Sequence, residues 1–100
     1  MFKKILLVSI LLISSLDAHT AIMTCFDNGD DSITCEGGFS NGSSGSGVRM
    51  YVKHDDKKII EGIMNENSEF TFNKPKESYE VVFDAGEGHV VSIKGKEIIE

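Results

Sequence analysis

From residue 48 onward, apolar and polar residues alternate, and this pattern constrains the fold more than any other feature. The alternation is clearest around Met50, Phe72 and Val81. A period of two indicates β-strands with one buried face, whereas no helical apolar period with caps persists beyond Thr20. Strands recur about every 8–12 residues with turn residues between them, which is typical of an all-β sandwich. We therefore predict an antiparallel β-sandwich of about seven or eight short strands.

Three further segments complete the predicted strand set. Less regular strands are expected over residues 58–64 and 89–93. A turn at 94–96 then leads into a last apolar segment at 97–99. These assignments rest on short apolar runs bounded by turn residues.

Two cysteines flank a cluster of turn-forming residues at 27–31. A turn centred on residue 30 places Cys25 opposite Cys35 in a hairpin, and we predict a disulfide between them. An even number of cysteines in an exported chain favours that bond over redox catalysis, which usually needs closer spacing. The acidic turn does not have the glycine position of a calcium-binding EF-hand loop.

The segment that ends at Ala18 has the features of an export signal. Lys3 and Lys4 precede an apolar stretch at 5–13 that is too short to span a bilayer. We expect cleavage after Ala18, although cuts after positions 15 or 21 fit the pattern too. The mature protein is therefore predicted to be periplasmic, without stable membrane insertion.

The net charge of −6 excludes nucleic acid as a natural partner. Binding to phosphate backbones requires clustered lysines and arginines, and in this sequence the basic residues stand singly or in pairs. The mature chain, from position 19 to position 100, allows one small domain.

A glycine- and serine-rich stretch separates the hairpin from the alternating segments. Residues 37–47 contain five glycines and four serines, a composition typical of a flexible loop. It is either a mobile hinge or a long crossover between sheets. The predicted organisation is thus a signal peptide (1–18), a disulfide hairpin (19–37), a Gly/Ser-rich loop (38–47) and a β-sandwich (48–100), with 19–100 as one structural unit.

A family resemblance is carried by residues 46–99. The run "SGVRMYVKHDDKKIIEGIMNENSEFTFNKPKESYEVVFDAGEGH" resembles transthyretin-like or carboxypeptidase-regulatory-like modules, within the wider class of immunoglobulin-like sandwiches. Its end, "DAGEGH" at 84–89, is similar to the D-x-G-x-G-H motif of periplasmic accessory proteins of nickel or cobalt uptake transporters. Ser68 stands at a turn position where that family usually has glycine. The resemblance implies nickel or cobalt binding and a membrane transporter as partner.

Histidines supply the predicted metal chemistry. Cleavage after Ala18 gives His19 a free α-amine beside its imidazole, and the two nitrogens can chelate one ion. His89 follows Gly86 and Gly88, which allow a tight bend that presents the ring. The predicted metal ligands are His19, His89, Glu87 and Asp84. Their nitrogen-rich set suits Cu(II) first on ligand chemistry, and Ni(II) or Co(II) by the resemblance.

Other functions have less support from the sequence. His54 is expected to be a solvated turn residue, and Met50 a core residue rather than a soft ligand. No nucleophile, base and orienting group fall into a recognisable spacing, so we predict no catalytic residues. Copper oxygenases use an N-terminal histidine brace, but this chain has no Trp for a substrate surface. The alternative function is an exported structural or protein-interaction module without metal, which contacts another envelope protein.

Overall fold

The computed structural model describes residues 20–100, so the predicted signal peptide and His19 lie outside the described residues. The described chain forms seven β-strands and one short 3-10 helix, Gly95–Glu97. The strands are β1 (Ala21–Asp27), β2 (Ser32–Phe39), β3 (Arg49–His54), β4 (Lys57–Ile63), β5 (Glu69–Asn73), β6 (Glu80–Asp84) and β7 (Val90–Lys94).

The seven strands build two antiparallel sheets, which confirms the predicted all-β sandwich. One sheet has the order β1-β2-β5 and the other β4-β3-β6-β7. The chain changes sheet three times, after β2, β4 and β5, as is usual in sandwiches with Greek-key connections. Within residues 20–100 there is no helix long and apolar enough to cross a membrane.

The disulfide hairpin has the register that the turn cluster predicts. Cys25 lies directly opposite Cys35 with a Cα–Cα distance of 4.0 Å, and the two sulfur atoms are bonded. Asp31 adopts a left-handed φ of 68° at the end of the turn, a conformation that Asp tolerates better than most residues. Because β2 also pairs with β5, the hairpin is an integral part of the sandwich.

The core lies between the sheets and is built from the alternating residues. Met50 and Val52 face inward from β3, and Val81 and Phe83 face inward from the neighbouring β6. Met50 is 1% exposed, which confirms it as a core residue. The buried cluster comprises Met23, Ile33, Cys35, Met50, Val52, Met64, Phe72, Val81 and Phe83.

The glycine- and serine-rich segment is a crossover between the sheets that packs closely on the core. Gly45 is buried, and a Cβ placed on it would lie 2.3 Å from the Gly37 carbonyl oxygen. Ser68 has a left-handed φ of 61°, so it takes the conformation that glycine favours at this turn. Its hydroxyl accepts a hydrogen bond from Gly45 N at 3.1 Å and pairs with the Ser44 hydroxyl at 2.7 Å. The serine therefore fastens the crossover, which a glycine there could not do.

The close approach of two backbones at Gly45 leads to a testable expectation. Gly45→Ala should lower the free energy of unfolding by about 1–3 kcal/mol, because the clash is with backbone that cannot move aside. Urea denaturation measures the change. Ser46→Ala, at the next and exposed position, is the matched control, with an expected change within about 0.5 kcal/mol. Equal stability of the two variants would show that the segment is a loose linker.

The C-terminal segment differs from the expected strand series. After β7 the chain turns through the 3-10 helix, and residues 97–99 do not form a strand. Asp27 N instead donates a hydrogen bond to Ile99 O at 3.0 Å, which ties the chain end to the end of β1.

Candidate functional site

The turn between β6 and β7 carries three of the four predicted metal ligands and has an ordered backbone. Ala85 N donates to His89 O at 3.0 Å, and His89 N donates to Gly86 O at 2.8 Å. Gly86 and Gly88 have φ values of 108° and 81°, in the region that favours glycine. The two glycines therefore permit the tight bend that the sequence predicted.

Asp84 holds this turn from the outer face of the four-stranded sheet. Its Oδ1 accepts a hydrogen bond from Gly86 N at 3.0 Å, and its Oδ2 lies 3.8 Å from Arg49 Nη2. In register it sits between Arg49 and Val90, both of which are exposed. The carboxylate thus faces away from the interior of the sandwich.

His89 belongs to the opposite side of the same sheet. Its ring makes an edge contact with Phe39 at 6.4 Å between centroids and an interplanar angle of 81°. With Phe39, Ser43 and Ala85 it lines a small cavity of about 280 Å³. Glu87 is exposed at the tip of the turn. The fold therefore keeps His89 and Glu87 in one turn but directs Asp84 to the other face.

The described chain begins at the same end of the sandwich as His89. Thr20 N donates to Ser40 Oγ at 3.1 Å, and Ser40 N donates to Thr20 O at 2.9 Å. Ser40 follows Phe39, whose ring contacts His89. Thr20, the first described residue, and the predicted histidine turn are far apart in the sequence but are thus close neighbours in the fold.

Residues 20–100 do not assemble a three-ligand metal site by themselves. No group of three His, Cys, Asp or Glu side chains in this range is arranged to hold a metal ion. Both cysteines are in the disulfide, so neither can serve as a thiolate ligand.

His54 makes specific contacts instead of being only a solvated turn residue. It is the last residue of β3, and its Nδ1 lies 2.7 Å from the backbone oxygen of Ser78, which belongs to the loop between β5 and β6. Its Nε2 is 3.6 Å from Asp55 Oδ2. His54 therefore fastens a loop at the end of the sandwich opposite to His89.

That opposite end contains a group of lysines that sequence reasoning missed. The sequence shows basic residues singly or in pairs, but Lys53 lies near the end of β3, Lys74 follows β5 and Lys94 ends β7. In the sandwich these three strand ends meet at one rim. The only sequence signal for this group was that each lysine lies at the end of a strand. That signal predicts a shared rim only when the directions of the strands are known.

The chemistry that the His89 turn can offer is ligand binding by one imidazole and one carboxylate, beside the start of the described chain. Imidazole nitrogens and carboxylate oxygens are both ordinary ligands of divalent transition metals. Comparison of the chain with protein-family profiles, with curated proteins and with solved structures gives no match.

Proposed function

We propose that this protein is an exported, non-catalytic carrier of a divalent transition metal. It binds the ion with the His19 amine and ring together with His89, and passes it to a membrane uptake transporter. The observation that carries the proposal is that β1 starts next to Phe39, whose ring contacts His89. Ala21 packs against the core, and Thr20 before it is hydrogen-bonded to Ser40, the neighbour of Phe39.

The remaining ligands have different roles in this proposal. Glu87, exposed in the same turn as His89, is the candidate carboxylate ligand. Asp84 positions the turn through its bond to Gly86 N rather than by binding the metal. Three nitrogens with one oxygen suit Cu(II) or Ni(II) in tetragonal geometry, and Cu(II) binds more tightly at equal concentration. The family resemblance favours nickel or cobalt as the cargo.

Metal titration of the purified mature protein tests the proposal. We expect micromolar or tighter binding of Cu(II) and Ni(II), with at least about a tenfold loss in both His19→Ala and His89→Ala, because each removes a nitrogen ligand. His54→Ala is the matched control and should bind as the wild type does. Unchanged affinity in both site variants would refute the site, as would a mature N-terminus, measured by intact mass, that lacks His19.

The proposed ligands also determine a pH dependence. Only the neutral forms of an α-amine and an imidazole have a lone pair for a metal, so protons compete with the metal for these ligands. Metal affinity should therefore fall steadily from pH 7 to pH 5. Isothermal titration at several pH values measures this dependence, and an affinity that is constant over that range would exclude histidine and amine ligands.

An interaction module without metal is the second candidate, and the outer surface of the four-stranded sheet favours it. Ile63 and Val90 are 60% and 53% exposed and flank the Arg49–Asp84 pair on one row of that face. Exposed apolar groups next to charges are common where proteins bind one another. Absence of metal binding together with capture by an envelope protein that is lost in Ile63→Ser would support this candidate over the carrier.

A further inference from the structure

The end of the sandwich opposite to His89 contains an open groove of about 740 Å³, which we call the lysine groove. It lies between the β5–β6 loop, the end of β3 and the turn after β7. Its size is that of a site for a small organic ligand. The lining residues are Lys53, Asp55, Lys74, Pro75, Lys76, Glu77, Ser78, Tyr79, Glu80, Lys94, Gly95, Lys96 and Ile98.

The groove is positively charged in an otherwise acidic protein. Seven lysines follow residue 19, and five of them line the groove together with three carboxylates. Lys53 is paired with Glu80 at 3.4 Å, and Lys74 with Asp27 at 2.8 Å. The other three lysines of the groove make no ion pair within the described part of the chain: Lys76, Lys94 and Lys96. Their charge can therefore act on an anion.

Tyr79 adds a hydrogen-bond donor that no described residue uses. Its ring packs against Phe72 at 6.1 Å between centroids and lies so close to Gly95 that a Cβ there would be 2.4 Å from the ring. The hydroxyl is buried and has no hydrogen-bond partner among the described residues. Burial raises the pKa of Tyr79 above its ordinary value, so the hydroxyl keeps its proton at neutral pH. A buried polar group without a partner is rare in folded proteins and points to a missing acceptor.

We propose that the lysine groove binds the phosphate group of a phosphorylated ligand. Because the Tyr79 hydroxyl is covered in this structure, binding requires a shift of the ring, after which the hydroxyl donates a hydrogen bond to one phosphate oxygen. Lys94 and Lys96 supply the compensating charge. The excess of lysines over carboxylates in the lining favours an anion over a metal cation, since an ammonium group is a donor without a lone pair. Lysine is a common phosphate-binding residue that acts as a point charge.

The site is independent of the proposed metal site. Strand β6 runs from Glu80 at the groove to Asp84 at the His89 turn, so its five residues place the two ends roughly 13 Å apart. Variants of His89 should therefore leave phosphate binding unchanged. Failure of one proposal does not affect the other.

Nuclear magnetic resonance titration of the ¹⁵N-labelled protein with inorganic phosphate and glycerol 3-phosphate tests the proposal. Amide shifts should be concentrated at Tyr79, Gly95 and Lys96, and binding should weaken as salt is raised because the attraction is screened. Co-sedimentation with phosphatidylglycerol vesicles, against phosphatidylcholine vesicles, distinguishes the source. Binding to glycerol 3-phosphate indicates a soluble ligand, and binding only to phosphatidylglycerol indicates a lipid headgroup.

Three variants determine which groups hold the phosphate. Tyr79→Phe removes only the hydroxyl and should weaken binding about tenfold, the usual effect of losing one hydrogen bond to a charged group. It should fold as stably as the wild type, since it also removes a buried unpaired group. Lys96→Ala should weaken binding, whereas Lys57→Ala, an exposed lysine outside the groove, should not. The proposal is overturned if no probe shifts the groove amides, or if Lys96→Ala and Lys57→Ala bind alike.

Discussion

Replacement of Phe83 by alanine should lower the free energy of unfolding by about 3–5 kcal/mol, the usual cost of deleting a fully buried aromatic ring. Phe83 is 0% exposed and lies opposite Met50 at the centre of the four-stranded sheet. Its ring makes an edge contact with Phe39 of the other sheet at 5.8 Å, so it joins both sheets. Domains of this size are stable by only about 4–12 kcal/mol, and the variant should be close to unfolded at 37 °C.

Phe26→Ala is the matched control for this experiment. Phe26 is also a phenylalanine, but it lies on the outer face of β1 with 36% exposure, so its removal leaves no internal cavity. We expect a loss of about 1 kcal/mol or less, the usual contribution of a cross-strand pair. Chemical denaturation followed by circular dichroism compares the two variants. A Phe83→Ala variant no less stable than Phe26→Ala would contradict the arrangement of the core.

Loss of the disulfide should have the next largest effect. The double variant Cys25→Ala/Cys35→Ala is expected to be about 2–3 kcal/mol less stable, because an unfolded chain without the bond gains the entropy of a loop of about ten residues. Cys35 is also fully buried in the core. Its replacement by the smaller alanine can therefore only add to the loss of stability that the loop entropy predicts. Urea denaturation of oxidised wild type, reduced wild type and the double variant gives the free energies.

A neighbouring rung of the same hairpin supplies the control. Thr24 faces Glu36 on the exposed side of the β1–β2 pair, and Thr24→Ala/Glu36→Ala removes a cross-strand pair without a covalent bond. Its cost should be about 1 kcal/mol or less. If reduced and oxidised wild type unfolded at the same urea concentration, the bond would contribute nothing to stability.

The hairpin and the buried faces of the strands were predictable because both depend on local periodicity. The position of the turn residues determines which residues face each other, so Cys25 and Cys35 could be paired by counting from residue 30. Alternation identified Met50 and Val52 as inward residues for the same reason. Where the period was weak, as at 97–99, a segment with strand-like composition took another conformation.

The role of the glycine- and serine-rich segment could not be derived from its composition. The sequence left a hinge and a crossover equally open, since both use small polar residues. The crossover packs because Gly45 fits against the backbone at Gly37, and because Ser68 offers its hydroxyl to Gly45 N. These contacts join residues that are separated in sequence, and only the packing of the two sheets brings them together.

The candidate sites also divide into features that local sequence predicts and features that depend on long-range packing. The glycines of "DAGEGH" indicated a tight turn that presents His89, and the structure has that turn. Strand register places Asp84 on the outer face, and contact with Phe39 places His89 on the other side; the motif alone contains neither fact. The lysine groove was invisible in the sequence, because its lysines come from β3, the β5–β6 loop, β7 and the 3-10 helix.

The strands, their buried faces and the cysteine pair follow from local sequence, because each depends on neighbours within one hairpin or on a period of two. Which strand ends share a rim depends on how the two sheets pack. That packing places Phe39 against His89 at one end and gathers five lysines and Tyr79 in one groove at the other. The physical reason is that sheet order and crossovers are selected by burial of the whole core, to which residues far apart in the chain contribute together.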